Sequence, residues 1–312
     1  MNSNLKKAAD ELEKAIVGKR NVIERLIISV LANGHVLLDD VPGVGKTTLA
    51  ICVSKVLGLQ YKRIQFTPDV LPSDITGFSI YRKETGTLEY MPGAADGANI
   101  LLADEINRTS SKTQSALLEA MEEYQVTVDG KTHAMQNPFI VIATQNNVGT
   151  AGTQTLPFAQ LDRFLMRLSI GYPNFESQME IIRSRQKNNP ANDIQKIISK
   201  DDILKMQGEV TGVTVKDGII EYIARLAETS RAGNMIELGI SPRGALFISK
   251  VSKARAYFEG RDYVIPEDVR EIFADVCAHR VIISREAKSQ QITPEQVVAD
   301  LLKKIKPPDS LI

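Results

Sequence analysis

The chain has 312 residues, 43% hydrophobic and 24% charged, with 38 basic residues against 38 acidic ones and a formal net charge of zero. Such a composition fits a folded protein of about two domains at ~150 residues each, excludes wholesale disorder, and speaks against a dedicated nucleic-acid binder, which carries a basic excess. Trp is absent and aromatics reach only 5%, which argues against an aromatic stacking platform or carbohydrate cleft.

Residues 5–31 read as helical. Leu5, Ala8, Ala9, Leu12, Ala15 and Ile16 recur at helical spacing, and Val22, Leu26, Ile27 and Val30 resume it after Gly18. Asp10, Glu11 and Glu13 stand among the lysines there without an apolar stretch, unlike a signal peptide. No run of 18 apolar residues occurs, so no membrane span is expected and the location is read as cytoplasmic. Cys52 and Cys277 lie far apart and read as core thiols. His35, His133 and His279 are equally scattered, without the paired spacing of a zinc site.

Short apolar runs follow at 36–38, 64–66, 100–103, 139–143 and 164–170, each too short for a typical helix. Helical stretches at 47–57, 112–124 and 158–163 lie between them. This alternation predicts an α/β fold with a parallel five-stranded sheet covered on both faces. Two segments interrupt it. Residues 77–93 read as a β-hairpin turning at 83–86, and 125–136 as a second one turning at Asp129-Gly130. A helix at 176–185 leads into the polar stretch 186–193, read as a domain linker. Beyond it only helices are expected, at 201–210, 215–229, 242–259, 266–283 and 293–305. Thr293-Pro294-Glu295 and Ile265-Pro266-Glu267-Asp268 supply first-turn signals. The predicted division is therefore 1–187 for the α/β core and 188–312 for a smaller all-helical domain.

Asp40-Val41-Pro42-Gly43-Val44-Gly45-Lys46-Thr47-Thr48 follows an apolar strand and opens a helix, the context a phosphate-binding loop requires. Gly43 and Gly45 let backbone N–H groups turn onto phosphate oxygens. The helix points its positive end at the same anion. Pro42 through Thr48 are the nucleotide-binding candidates, with Lys46 reaching the β- and γ-phosphates and Thr47 a Mg²⁺ ligand. The strict pattern wants Gly where Asp40 stands.

At 100–105 four apolar residues run into Asp104-Glu105. A buried strand ends on two acids when they have a task or reach water. The pattern assigns Asp104 to the Mg²⁺ shell and Glu105 to polarising an attacking water; the lesser alternative is a pair of helix N-terminal acids. The run at 139–143 ends on Thr144-Gln145-Asn146, which makes Asn146 a candidate to orient that water or sense the γ-phosphate. In open parallel sheets ligands bind beyond the carboxyl ends of the strands. Three strand ends thus bring a phosphate cradle, a metal-plus-base pair and a polar sensor to one edge.

The order of these motifs, followed by Leu161-Asp162-Arg163-Phe164 and Ser241-Pro242-Arg243, resembles AAA+ ATPases of the MoxR type. Gln65-Phe66-Thr67-Pro68-Asp69, Asp104-Glu105-Ile106-Asn107-Arg108, Leu117-Leu118-Glu119-Ala120-Met121, Gly260-Arg261-Asp262-Tyr263-Val264 and His279-Arg280 agree. The resemblance covers roughly residues 10–285. It implies an ATP- and Mg²⁺-dependent homo-hexameric ring that remodels, matures or activates a protein client, with von Willebrand factor A-type proteins on separate chains as partners. It makes Arg163 an arginine finger acting on a neighbour's ATP and Arg243 a sensor arginine, in cis or in trans. Taken alone, each arginine fits a surface ion pair equally well. The hairpins at 77–93 and 125–136 become inserts facing the pore or rim. The sequence departs from the family pattern at 147–158, where expected acids are missing, and at 94–98, a change expected to loosen the first insert. Two other readings share these parts: a nucleic-acid motor, disfavoured by the zero net charge, and a nucleotide-dependent binding switch with little hydrolysis.

Overall fold

A computed structural model describes residues 2–146, 156–186 and 188–308. Two helices come first, α1 (Ser3–Glu13) and α2 (Arg20–Leu31); β1 (Val36–Asp39) then leads into α3 (Lys46–Val56). β2 (Tyr61–Gln65) and a short α4 (Pro72–Thr76) open onto the hairpin of β3 (Phe78–Arg82) and β4 (Thr87–Met91). β5 (Ile100–Asp104) passes through a 3-10 turn, Ile106–Arg108, into α5 (Ser111–Glu123). The second hairpin, β6 (Gln125–Val128) and β7 (Lys131–Ala134), precedes β8 (Ile140–Gln145), α6 (Phe158–Leu161), β9 (Met166–Leu168) and α7 (Phe175–Arg185). The remainder comprises α8 (Pro190–Asp193), α9 (Lys200–Thr211), α10 (Asp217–Ala232), β10 (Ile236–Leu238), α11 (Pro242–Phe258), α12 (Pro266–Cys277), β11 (Ile282–Ile283), α13 (Arg285–Ser289) and α14 (Pro294–Lys304).

The five strands expected from the apolar runs form one sheet in the order β2-β5-β8-β1-β9. Every pairing in it is parallel. Side chains alternate between its faces. Val36, Leu38, Ile100, Leu102, Ile140 and Ile142 enter one apolar cluster with α1, α2 and α3. Leu37, Leu101, Ala103, Val141 and Ala143 enter another with Leu117, Leu118 and Met121 of α5. Both faces are covered, which is why these strands read as continuous apolar runs. Cys52 and Cys277 are buried free thiols.

Four details differ from the sequence reading. The stretch 186–193 is not a plain linker: α8 packs against α3, and Lys55 Nζ donates to the Ala191 carbonyl at 2.8 Å. Ile197 and Ile198 also donate to the Val56 carbonyl. The C-terminal part carries a two-stranded antiparallel pair, β10 with β11, among its helices. The helix read at 266–283 stops at Cys277, and Ile282–Ile283 pair instead with Ile236 and Leu238. β-branched residues at 282 and 283 suit a strand better than a helix end. The 94–98 segment is not loose either. Ala94 and Ala95 donate to the carbonyls of Asp74 and Ile75, and Ala95 and Ala98 are fully buried.

The helical part shares the first apolar cluster with α1 and α2. Arg25 of α2 reinforces that contact, with Nε 3.0 Å from Asp275 Oδ2 and Nη2 donating to the Glu271 carbonyl at 2.8 Å.

Candidate functional site

The carboxyl ends of β1, β5 and β8 converge as their parallel register requires. Gly43 and Gly45 adopt φ of +83° and +97°, and nothing lies within 4 Å of where a Cβ would stand on either. The loop needs glycine for its backbone twist, not for lack of room. Gly45 is the N-cap of α3 and supplies no side-chain acceptor, so the helix's first N–H groups face the open loop. This cradle fits a polyphosphate.

Lys46 is only 8% exposed. Its Nζ donates to the carbonyls of Asp40 at 2.8 Å and Gln145 at 3.0 Å, and to Asn146 Oδ1 at 2.6 Å. Burial pushes its pKa below the usual lysine value, against the pull of Asp40, Asp104, Asp39 and Glu105. Asp40, the residue that breaks the strict loop pattern, has a structural task. Its Oδ2 accepts from Ser169 Oγ at 3.1 Å and from the backbone N–H groups of Ile170 at 2.5 Å and Gly171 at 2.7 Å. The carboxylate ties the loop to the end of β9, which glycine could not do.

Asp104 and Glu105 are aligned by a residue to which sequence reasoning gave no role, Thr144. Its hydroxyl donates to Asp104 Oδ1 at 2.6 Å and accepts from the Glu105 N–H at 2.9 Å. Glu105 holds φ of +58°, an uncommon conformation for a side chain with a Cβ. That twist aims its carboxylate at Asn146, whose Nδ2 donates to Glu105 Oε1 at 2.8 Å. Lys46, Asn146 and Glu105 therefore form one hydrogen-bonded chain. Glu105 Oε2 also accepts from Gln65 Nε2 at 3.1 Å and Arg108 Nη1 at 2.8 Å. Arg63 of β2 donates to Asp104 Oδ2, from Nη2 at 2.7 Å and Nε at 3.2 Å. Thr47 and Thr48 are half-buried in the first turn of α3; Pro42 precedes Gly43, and Val44 stands between the two glycines. A threonine hydroxyl and one carboxylate suit Mg²⁺, which keeps several waters and takes few protein ligands. No cluster of three or more His, Cys, Asp or Glu that could hold a metal occurs among the described residues.

Arg163 and Arg243 come together, but not at this edge. Arg163 precedes β9, and the N–H of Leu165 just before that strand donates to the His35 carbonyl just before β1, which places this segment at the amino ends of the strands. Glu122 at the end of α5 takes both arginines. Arg163 Nε lies 3.1 Å from Oε2, and Arg243 Nη2 pairs with Oε1. With His35 and Lys250 they line a cavity of about 230 Å³. The loop and this cavity lie at opposite ends of β1, about 13 Å of strand for its four residues at ~3.3 Å each.

Asp162 and Arg280 join the two arginine-bearing segments. Arg280 is fully buried; its Nε donates to Asp162 Oδ1 at 2.9 Å and its Nη2 to the Asp162 carbonyl at 3.0 Å. It also donates to the carbonyls of Phe164 and Val276, with its guanidinium 4.9 Å from the Phe247 ring centroid. Asp162 Oδ2 accepts from Ser241 Oγ at 3.1 Å, the N-cap of α11 just before Pro242-Arg243. Motif order flagged these residues; only the fold shows that they touch.

Residues 35–166 match the family model described as ATPase family associated with various cellular activities (AAA), and residues 228–301 match the AAA lid domain. Chaperone MoxR1 of Mycobacterium tuberculosis is 39% identical over 96% of this chain and 81% of its own length. Protein MoxR of Methylorubrum extorquens is 30% identical over 93% of this chain and 91% of its own. The chain belongs to the MoxR family of AAA+ ATPases. Uncharacterized protein YeaC of Bacillus subtilis is 46% identical to this MoxR-family chain, over 97% of it and 95% of YeaC. The crystal structure of a candidate ATPase from Cytophaga hutchinsonii superposes with a TM-score of 0.89 at 40% identity, covering 98% of this chain and 95% of that one. The P-loop AAA+ core with its parallel sheet and helical lid is thus the fold of this MoxR-family member. No helix among its described residues is long and apolar enough to cross a membrane.

Proposed function

We propose that this MoxR-family chain binds ATP with Mg²⁺, hydrolyses it, and works as a homo-hexameric ring that remodels or matures a protein client. The hydrogen-bonded chain Lys46–Asn146–Glu105, with Asp104 beside it, carries the reading. Bound Mg²⁺–ATP supplies the phosphoanhydride bond and the metal that spreads its negative charge. Loop N–H groups and the start of α3 hold the phosphates. Lys46 neutralises the β- and γ-phosphates. Thr47 and Asp104 would hold the metal. Glu105, kept on Asn146 and the Thr144 hydroxyl, accepts the proton of the attacking water.

Arg163 and Arg243 lie too far along the sheet to serve the loop of their own subunit, so both are read as acting on a neighbour's nucleotide. For Arg243, left open between cis and trans by the sequence, the distance from its own loop favours the trans reading. An arginine finger supplies about 10³–10⁵ in rate, or roughly 4–7 kcal/mol of barrier. The exposed side chains of the first hairpin, Phe78, Tyr81 at 62% and Leu88, suit contact with a client. A von Willebrand factor A-type protein on a separate chain is the proposed partner class, in the cytoplasm. Residues 1–187 are taken as the core and 188–312 as the lid.

The test pairs ATP turnover with mass measurement, with and without ATP and Mg²⁺. Glu105→Gln keeps nucleotide binding and loses about 10²–10⁴ in turnover. Undiminished turnover in that variant removes Glu105 from its role. A chain that stays monomeric under turnover conditions removes the ring and the trans arginines with it.

A further inference from the structure

We propose that Arg63 occupies the cation position beside Asp104 and competes with the divalent metal for that carboxylate. The inference rests on Asp104 as the metal-site acid and extends that reading to a residue of a different strand. Both Asp104 oxygens have protein partners. Oδ1 accepts from the Thr144 hydroxyl at 2.6 Å, and Oδ2 accepts from Arg63 at 2.7 and 3.2 Å. Thr144 is neutral and buried, so it stays in place whatever cation approaches. Arg63 is different. A divalent ion reaching Asp104 Oδ2 would have to take the lone pairs that two Arg63 N–H groups fill, and at that distance the two cations repel each other in a partly buried site.

One cation must yield, and Arg63 is built to do so. Its side chain is 46% exposed, and β2 is an edge strand of the sheet, so the guanidinium has open solvent to move into. Lys46 does not fill this position, because its amine is committed to Asp40, Gln145 and Asn146. Pairing Arg63 with Asp104 avoids leaving a nearly buried carboxylate without a counter-charge before the metal arrives. The same Nη2 that holds Asp104 donates to Gln65 Oε1 at 2.6 Å, and Gln65 Nε2 donates to Glu105 Oε2. Departure of Arg63 therefore frees Gln65 Oε1 and releases the amide whose Nε2 holds Glu105. Metal entry and the setting of the general base become linked through two residues of β2.

The test uses the full chain with ADP, and Mn²⁺ as the probe metal, read by the paramagnetic resonance of the bound ion. Arg63→Gln binds Mn²⁺ about 2- to 5-fold more tightly than wild type, the range a half-exposed ion pair supports. Arg63→Lys falls between the two. ADP affinity in metal-free buffer stays within about twofold in both, because the competition concerns the metal. Mn²⁺ affinity equal to wild type or weaker in Arg63→Gln overturns the inference. Asp104→Asn separates the two levels. If that variant loses Mn²⁺ while Arg63→Gln matches wild type, only the role of Arg63 fails. If Asp104→Asn retains wild-type Mn²⁺ affinity, the metal-site reading fails and takes the inference with it.

Discussion

Lys46 and His35 show how single buried groups set chemistry at the two ends of β1. Three oxygens hold the Lys46 amine between the loop and Asn146, so the residue is oriented before phosphate binds. Lys46→Ala removes a charge-assisted contact of ~1.5–3 kcal/mol, and nucleotide affinity measured by calorimetry should fall roughly 10- to 100-fold. His35 is buried between two fixed partners. Its Nε2 lies 2.9 Å from the Met121 carbonyl, and its Nδ1 lies 3.0 Å from the Val141 N–H. Only the neutral ring, protonated at Nε2, satisfies both. Burial pulls its pKa down to about 4. The unfolded chain, near pH 6.5, binds the proton first. Stability from His35 is therefore complete above pH 6.5 and is lost as pH falls toward 4, by about 3 kcal/mol at most. The His35 ring signal should titrate near pH 4 by NMR, and a midpoint near 6.5 would refute the buried neutral ring. Thr144 makes a third case. Thr144→Val leaves the Glu105 N–H unpartnered, at a cost of ~1–3 kcal/mol in the urea midpoint, and lowers turnover by releasing both acids. The acids themselves were legible, because two carboxylates ending an apolar strand stand out in one dimension. Thr144 was not, because a threonine in a strand is ordinary until its neighbour strand is known.

Elements are joined by side chains that reach across long stretches of sequence. Arg280 sits at the C-terminal end of α12 and fixes Asp162 and the carbonyls around β9, while Asp162 caps the start of α11 through Ser241. Desolvation lowers the Arg280 pKa to about 10, so it remains charged at neutral pH. Asp162→Ala leaves that charge buried without its carboxylate, and should destabilise by roughly 3–5 kcal/mol in denaturant unfolding. A loss under 1 kcal/mol would mean that the carbonyl acceptors suffice alone. The two hairpins are linked as well. Tyr90 of β4 stacks on His133 of β7 with ring centroids 3.7 Å apart and 16° between planes, and its hydroxyl donates to the Thr76 carbonyl at 2.7 Å. His133→Ala should speed amide exchange in both hairpins; faster exchange in β6–β7 alone would show that they move independently. Both hairpins were legible from turn residues and alternation. Their contact was not, because local patterning carries no information about which hairpin meets which.

For the whole molecule, the decisive fact is that the phosphate loop and the two arginines occupy opposite ends of one sheet. On the proposed ring reading, a single subunit would hold half of two sites. Mixing Arg163→Ala with Lys46→Ala subunits tests this directly. Each variant alone should be nearly inactive, and the mixture should recover turnover where an intact loop meets an intact arginine. No recovery, despite mixed rings by mass, would place the arginine outside the site. Glu122 bridges both arginines in one subunit, its single negative charge shared between two guanidinium groups.

The sequence by itself determined the sheet strands, the hairpins, the lid helices and the residue types at each strand end. Apolar periodicity and turn chemistry act within a few residues, and motif order survives in one dimension. The tertiary structure alone decided that Asp40 braces β9, that Thr144 and Arg63 share Asp104, and that Glu122 gathers Arg163 with Arg243. It also turned the expected linker into α8 docked on α3 and ended α12 early in favour of β11. Those outcomes depend on strand order and on contacts between residues tens to hundreds of positions apart, which close only when the chain is packed. Of the departure from the family pattern at 147–158, residues 147–155 lie outside the described residues.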